Sequence, residues 1–92
     1  MKRKSYDYDL YNTFVNYLDP LIISPDKYGF DDIFGLIDEY MESKDRWMTQ
    51  TSSEMYEIIV FLSKIDKSKS RKEIIGGFKK AYDMFKRVEF PD

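Results

Sequence analysis

Carboxylates are the main candidate functional groups in this sequence. Its 92 residues include 17 aspartates and glutamates and 15 lysines and arginines, but no histidine and no cysteine. Without cysteine there can be no disulfide, thiolate nucleophile or cysteine-ligated zinc, and without histidine the commonest general base is missing. Serine–histidine and cysteine–histidine catalysis are therefore excluded. The sequence contains no Walker or dinucleotide-binding glycine pattern, so we expect neither a cofactor nor a metal site.

Two acidic pairs form the pattern that is closest to an enzyme. Asp38-Glu39-x-x-Glu42 is followed by Glu54-x-x-Glu57. The pattern resembles the signature of the all-α nucleoside triphosphate pyrophosphohydrolases of the MazG type, whose carboxylates hold Mg²⁺. The chain departs from that signature at both ends, with aspartate in place of the first glutamate and glutamate in place of the last aspartate. The resemblance implies a magnesium-dependent nucleotide pyrophosphohydrolase, which is the third of three interpretations.

A second arrangement of carboxylates favours binding over catalysis. Four acidic residues recur at steps of seven, four and three, which places them on one face of a helix. Tyrosine and tryptophan are enriched at binding hot spots, and one of each stands outside the apolar pattern on either side of this stripe. We therefore predict six partner-binding residues: Asp31, Asp38, Glu42, Asp45, Trp47 and Tyr28.

Acidic and basic residues are segregated along the chain. Residues 5–63 contain twelve acidic and three basic side chains, a net charge of −9, whereas residues 64–87 contain nine basic and three acidic ones, a net charge of +6. The formal net charge of −2 for the whole chain conceals this separation. Such a separation is typical either of opposite charges that order neighbouring helices or of a face that meets a charged partner.

The basic segment supports an alternative function in nucleic-acid binding. Its side chains surround the start of the last predicted helix, where free backbone amides and the helix dipole favour phosphate. Most of the remaining chain is acidic and repels the same phosphate backbone, so this interpretation ranks second. The residues predicted to contact nucleic acid are Lys67, Lys69, Arg71, Lys72, Lys79 and Lys80.

Four helices are predicted to position these groups, because apolar residues recur mainly at spacings of three and four. The first ends at Asp19-Pro20, since proline disfavours helical geometry in the residue before it. The second runs from about Phe30 to Ser43. The third follows Thr51-x-x-Glu54 and the fourth follows Ser70-x-x-Glu73, both of which have the spacing of a capping box.

The predicted fold is all-α, a compact four-helix bundle-like single domain that spans residues 1–92. The alternative is an α+β domain in which Ile58–Leu62 forms a strand, because this short apolar run is β-branched at three positions. Gly76-Gly77 falls inside the fourth predicted helix, so either two helices approach closely there or the helix is broken.

The leading interpretation is a small acidic protein-binding inhibitor without catalysis. Immunity proteins that neutralise toxins, antitoxins and phage-encoded inhibitors share this size and charge. The expected partner is a protein with a basic surface, such as the nuclease domain of a toxin, although complementary acidic and basic faces also allow self-association. Ile58–Leu62, the longest apolar run, is far too short to span a bilayer, and no export signal is visible. We therefore expect a cytoplasmic protein without membrane contact.

Overall fold

Four long helices and one short helix account for most of residues 5–88, the part of the chain that the computed structural model describes. No strand occurs within those residues, so the prediction of an all-α bundle is confirmed. The run Ile58–Leu62 lies inside a helix, and the strand alternative is wrong. In chain order the elements are α1 (Ser5–Ile23), α2 (Asp31–Glu42), α3 (Lys44–Trp47), a 3₁₀ turn (Met48–Gln50), α4 (Ser53–Ser63) and α5 (Arg71–Arg87).

The core is built from the apolar faces of the four long helices. α1 packs chiefly on α5, and α4 packs on both α2 and α5. Fully burying one leucine, isoleucine or phenylalanine contributes roughly 1.5 to 3 kcal/mol, so these faces hold the bundle together. None of the described helices is both long enough and apolar enough to cross a membrane. The side chains that are at most 1 % exposed include Leu10, Phe14, Leu18, Ile33, Ile37, Met55, Ile59, Leu62, Phe78, Ala81 and Phe85.

Pro20 lies within α1 rather than at its end, so the helix end predicted at Asp19-Pro20 is wrong. The helix continues for three more residues to Ile23. Leu21 is only 4 % exposed, and Ile22 packs against the core. Burial of these two side chains offsets the cost of a proline inside a helix, which is about 3 kcal/mol.

The start of α4 differs by one residue from the predicted capping box. Ser52, rather than Thr51, is the N-cap, and its Oγ accepts a hydrogen bond from the Met55 amide at 3.3 Å. The Thr51 hydroxyl instead donates to the carboxylate of Asp7 on α1. Both of these side chains are buried. A long-range contact therefore replaces the local cap and fixes α1 against the start of α4.

The N-cap predicted at Ser70, at the start of α5, is confirmed. Ser70 Oγ accepts a hydrogen bond from the Glu73 amide at 3.3 Å and donates to the Glu73 carboxylate at 3.3 Å. α5 is unbroken at its two glycines. A Cβ built at Gly77 would lie 3.1 Å from Cδ1 of Ile65, so the turn before α5 approaches that helix closely. Gly76, in contrast, has open space around it among the described residues.

Candidate protein-binding surface

The solvent-facing side of α2 is acidic along its whole length. Ile33 and Ile37 are buried in the core, so residues three, four or seven positions from Gly35 point outward. All of these residues are exposed. We call this surface the acidic face, and it consists of Asp31, Asp32, Gly35, Asp38, Glu39 and Glu42.

The acidic face contains three of the four predicted carboxylates, namely Asp31, Asp38 and Glu42. Asp45 is also exposed, but it lies on α3, so the regular spacing in the sequence does not correspond to one continuous helix. Asp38 Oδ2 lies 3.2 Å from Lys67 Nζ. The other carboxylates of the acidic face form no ion pair within residues 5–88, so most of its charge is not neutralised there.

Two carboxylates lie at the end of α2 where they oppose the helix dipole. Glu39 and Glu42 occupy the last turn, which contains no basic residue. The C-terminal end of a helix carries a partial negative charge, so an acidic side chain there costs roughly 0.3 kcal/mol or more at low ionic strength. Asp38 and Glu42, four residues apart, add like-charge repulsion. The charges therefore destabilise the last turn of α2, whereas Asp31 and Asp32 in its first turn favour the helix dipole.

Gly35 lies at the centre of the acidic face. A Cβ built at this position would meet no described atom within 4 Å, so no contact inside the bundle requires glycine. Glycine in a helix interior is less stable than alanine by roughly 0.5 to 1 kcal/mol. The absence of a side chain leaves the backbone of α2 open to close approach from the solvent side.

Trp47 lies in the core, so the prediction of a surface position for it is wrong. Its side chain is 1 % exposed, and its indole N–H donates to the carbonyl of Tyr40 at 3.0 Å. Its ring packs against the rings of Tyr40 and Tyr56, whose centroids are 6.0 and 5.8 Å away. The segment that the sequence presents as a polar connection forms α3 and the 3₁₀ turn. Because α3 is a single turn, it is too short to show an apolar period.

A groove of about 360 Å³ lies between α1 and the start of α2. The predicted binding residue Tyr28 lines it together with Tyr17, and each is 42 % exposed. Asp32 belongs both to this groove and to the acidic face, so the two surfaces are continuous. We call it the tyrosine groove, and its other lining residues are Asn16, Pro20, Leu21, Gly29 and Ile33.

The sequence alone identified only Tyr28 in the tyrosine groove. Tyr17 shares the spacing of the apolar stripe of α1, which favours a core position, yet its side chain is partly exposed. Pro20 predicts a helix end, whereas α1 continues through it and supplies one wall of the groove. The apolar triplet of residues 21–23 is the signal that could have shown the longer helix.

Two of the six predicted nucleic-acid-binding residues are held by contacts within the protein. Lys67 pairs with Asp38 of the acidic face. Arg71 donates a hydrogen bond to the carbonyl of Pro25 and lies 4.4 Å from the centroid of the Phe30 ring. One ion pair therefore joins the turn before α5 to α2, and the contacts of Arg71 with a carbonyl and a ring join the start of α5 to the loop before α2.

The other four predicted basic residues are exposed, and they are Lys69, Lys72, Lys79 and Lys80. Lys72 and Lys79 line a second groove, of about 510 Å³, together with Arg71. Asp26 and Gly76 also line it, so one carboxylate faces three cations. We call this the basic groove. It retains half of the predicted nucleic-acid-binding residues.

The structure does not gather the two acidic pairs of the magnesium signature. Within residues 5–88, no three acidic side chains lie close enough together to hold a metal ion. Asp38, the first residue of the signature, forms an ion pair with Lys67 instead. The resemblance to the pyrophosphohydrolases therefore has no counterpart in the arrangement of the described side chains.

Two ionisable groups with shifted pKa values lie between α1 and α5, away from the acidic face. A hydrogen bond to Asp19 raises the pKa of Tyr82 above its ordinary value. Hydrogen bonding to Tyr11 raises the pKa of Lys86. These contacts join the two longest helices and do not line the tyrosine groove.

Comparison with known proteins gives no evidence on function. The chain matches no protein-family model, no curated protein and no solved structure. Function is therefore argued from the acidic face, the tyrosine groove beside it and the basic groove on α5.

Proposed function

We propose that this protein is a small cytoplasmic inhibitor that binds another protein through the acidic face of α2 and catalyses no reaction. Its partner presents a basic surface, and the nuclease domain of a toxin is the kind of protein that fits. An immunity protein, an antitoxin or a phage-encoded inhibitor is the type of protein that we propose. The acidic face supplies the charge, and the tyrosine groove supplies aromatic contact area next to it.

The observation that supports this proposal best is that the acidic face carries destabilising residues at its centre and in its last turn. Gly35 lowers helix stability, and Glu39 and Glu42 oppose the helix dipole. Asp31 and Asp32 in the first turn favour the dipole, and burial of Ile33 and Ile37 holds α2 in the bundle, so the cost is confined to the centre and the last turn of the solvent-facing side. Functional surfaces commonly reduce stability in exchange for binding, so a surface of this kind indicates a role outside the bundle.

A basic partner explains both features of the face. Carboxylates that have no ion-pair partner among the described residues attract a positively charged surface toward α2 and accelerate the encounter, and this effect weakens with added salt. Gly35 lets a partner side chain or backbone reach the helix between the flanking carboxylates. A nuclease binds its substrate through basic residues, so an acidic face bound there also blocks the substrate.

Site-specific photocrosslinking in the cells that produce the protein tests this proposal. A benzoylphenylalanine residue replaces Glu39 on the acidic face, Glu54 on α4 or Lys79 in the basic groove. We expect position 39 to capture one basic protein that the other two positions do not capture. That protein, once purified, must bind the unmodified chain. Equal capture from all three positions, or capture from Lys79 alone, would contradict the proposal.

The basic groove favours a second candidate function, nucleic-acid binding. Lys72, Lys79 and Arg71 line a concave surface beside the exposed Gly76, where a phosphate backbone can approach α5 closely. This candidate predicts a gel shift at low salt that disappears when Lys72 and Lys79 become alanine. The absence of any shift with both single-stranded and double-stranded probes removes it.

Self-association is tested separately, because the acidic face and the basic groove are complementary in charge. Sedimentation at low and high salt distinguishes a monomer from a salt-sensitive oligomer. A monomer at both salt concentrations leaves the acidic face available to a different protein, as we propose. A salt-sensitive oligomer that the reversals Glu39→Lys and Glu42→Lys dissociate would instead show that the face binds a second copy.

A further inference from the structure

The described lining of the tyrosine groove contains groups that attract a cation. Tyr17 and Tyr28 present aromatic rings, Asp32 presents a carboxylate, and Leu21 and Ile33 are the apolar residues of its lining. Among residues 5–88, no lysine or arginine belongs to the lining of the groove. Aromatic rings attract cations through the negative potential above the ring plane. Lys27 Nζ lies 5.5 Å from the centroid of the Tyr28 ring, so a second cation must use the other face of that ring or displace Lys27.

Pro20 leaves a backbone acceptor without its donor in one wall of the groove. Proline has no amide hydrogen, so the carbonyl of Asn16, four residues earlier in α1, lacks the hydrogen bond that a regular helix would supply. Asn16 and Pro20 both line the groove. One regular helix hydrogen bond is therefore missing in this wall of the groove, and we infer that the carbonyl of Asn16 can accept from a donor that enters it.

Asp32 supplies the negative charge. Its carboxylate forms no ion pair or hydrogen bond within the described part of the chain. It lies in the first turn of α2 and belongs to the acidic face as well as to the groove. A partner that contacts the acidic face at Asp32 thus also contacts the groove.

We propose that the tyrosine groove binds one cationic side chain of the partner, arginine in preference to lysine. The inference rests on the proposed function, because the side chain belongs to the protein that covers the acidic face. A guanidinium group is planar and stacks on tyrosine rings, and its five N–H groups reach a carboxylate and a carbonyl at the same time. A groove of about 360 Å³ has room for one such side chain. The arginine fixes the register of the partner on the acidic face.

The experiment is an NMR titration of the full chain with N-acetyl-arginine methylamide. The probe with citrulline in place of arginine has the same shape without the charge. We expect the arginine probe to shift the signals of Tyr17, Tyr28 and Asp32, and the citrulline probe to bind at least about tenfold more weakly. The lysine probe should bind more weakly than the arginine probe.

Two variants with the same loss of charge separate the groove from the general acidic field. Asp32→Asn removes the carboxylate of the groove, and we expect it to lower the affinity for the arginine probe about tenfold. Glu39→Gln removes one charge elsewhere on α2, and we expect an effect of less than about twofold. Equal losses in the two variants, or equal binding of arginine and citrulline, would overturn the inference.

Pro20→Ala provides a third variant that keeps every charge. Alanine at position 20 restores the amide that bonds to the carbonyl of Asn16, so the helix gains stability while the probe loses an acceptor. We expect a raised melting temperature and weaker arginine binding. Unchanged affinity in Pro20→Ala shows that the carbonyl is not used and overturns the proposed site. If the probe fails to bind while crosslinking through position 39 succeeds, the groove inference fails and the proposed function stands.

Discussion

Lys67 Nζ lies 3.2 Å from Asp38 Oδ2, and this ion pair joins the acidic and basic halves of the sequence. Lys67 lies in the turn before α5, and Asp38 lies on the acidic face of α2. The segregation of charge along the sequence is thus partly reversed in space. Opposite charges order the packing at this point, while the carboxylates farther along α2 have no such partner in the described residues.

The ion pair should contribute little to stability and should be sensitive to salt. Both side chains are more than half exposed, at 56 % and 61 %. Exposed pairs contribute about 0.2 to 1 kcal/mol. A double-mutant cycle with Asp38→Asn and Lys67→Met, followed by urea unfolding, should give a coupling in that range at low salt and less at 0.5 M salt. A coupling that does not change with salt would contradict this description.

The buried carboxylate of Asp7 should matter far more. It accepts hydrogen bonds from the Thr51 hydroxyl and from the Ser52 amide, the latter at 2.8 Å. Asp7→Ala leaves both donors without their acceptor, and we expect a loss of about 1 to 3 kcal/mol in the free energy of unfolding. Asp9→Ala, an exposed neighbour, is the control and should change stability by less than about 0.5 kcal/mol. Equal effects would show that the buried contact is not formed.

Three glycine-to-alanine variants separate helix propensity from packing and from binding. The new Cβ atom in Gly35→Ala or Gly76→Ala would have no described atom within 4 Å. Each variant should therefore raise the free energy of unfolding by about 0.5 to 1 kcal/mol. Gly77→Ala should gain less, because its Cβ would lie 3.1 Å from Cδ1 of Ile65. Thermal unfolding measures all three.

Two of these variants also test whether Gly35 contributes to partner binding. Gly35→Ala should weaken partner binding, because the new methyl group lies where the partner approaches α2. Gly76→Ala is the matched control, since it gains the same stability on a different helix and should leave affinity unchanged. If both variants bind equally well, Gly35 has no role in recognition.

The hydrogen bond between Tyr82 and Asp19 should be detectable in the alkaline titration of Tyr82. The hydrogen bond raises the pKa of Tyr82 above 10.0, because the protonated phenol is the donor. Its stabilising contribution is therefore present below pH 10 and is lost as the pH rises through the raised pKa. Asp19→Asn should lower the pKa of Tyr82, which an NMR titration of the tyrosine rings measures. An unchanged Tyr82 titration in Asp19→Asn would contradict the contact.

Most of the bundle could be predicted from the sequence, because long amphipathic helices have a clear period. The errors lie where a tertiary contact overrides a local signal. Pro20 is held inside α1 by the burial of Leu21, and Thr51 serves Asp7 rather than the cap of α4. Trp47 is buried by a single-turn helix that has no detectable period.

The candidate site was only partly predictable for the same reason. The exposure of Asp31, Asp38 and Glu42 follows from helical spacing alone. The tyrosine groove depends on how α1 and the start of α2 meet, which no local pattern encodes. Lys67 and Asp38 are 29 residues apart in the sequence, and no local pattern predicts their ion pair. Which charges pair within the bundle and which face the solvent could therefore be seen only in the structure.

The most direct test of the acidic face is the salt dependence of affinity for the captured partner in a charge-reversed protein. Glu39→Lys with Glu42→Lys is the variant of choice, because lysine in the last turn of α2 suits the helix dipole and keeps the bundle folded. Glu54→Lys on α4 is the control. We predict steep salt dependence for the unmodified chain and for the control, and a loss of at least about tenfold in affinity at low salt for the double reversal. Equal affinity and equal salt dependence in all three proteins would contradict the proposed role of the acidic face.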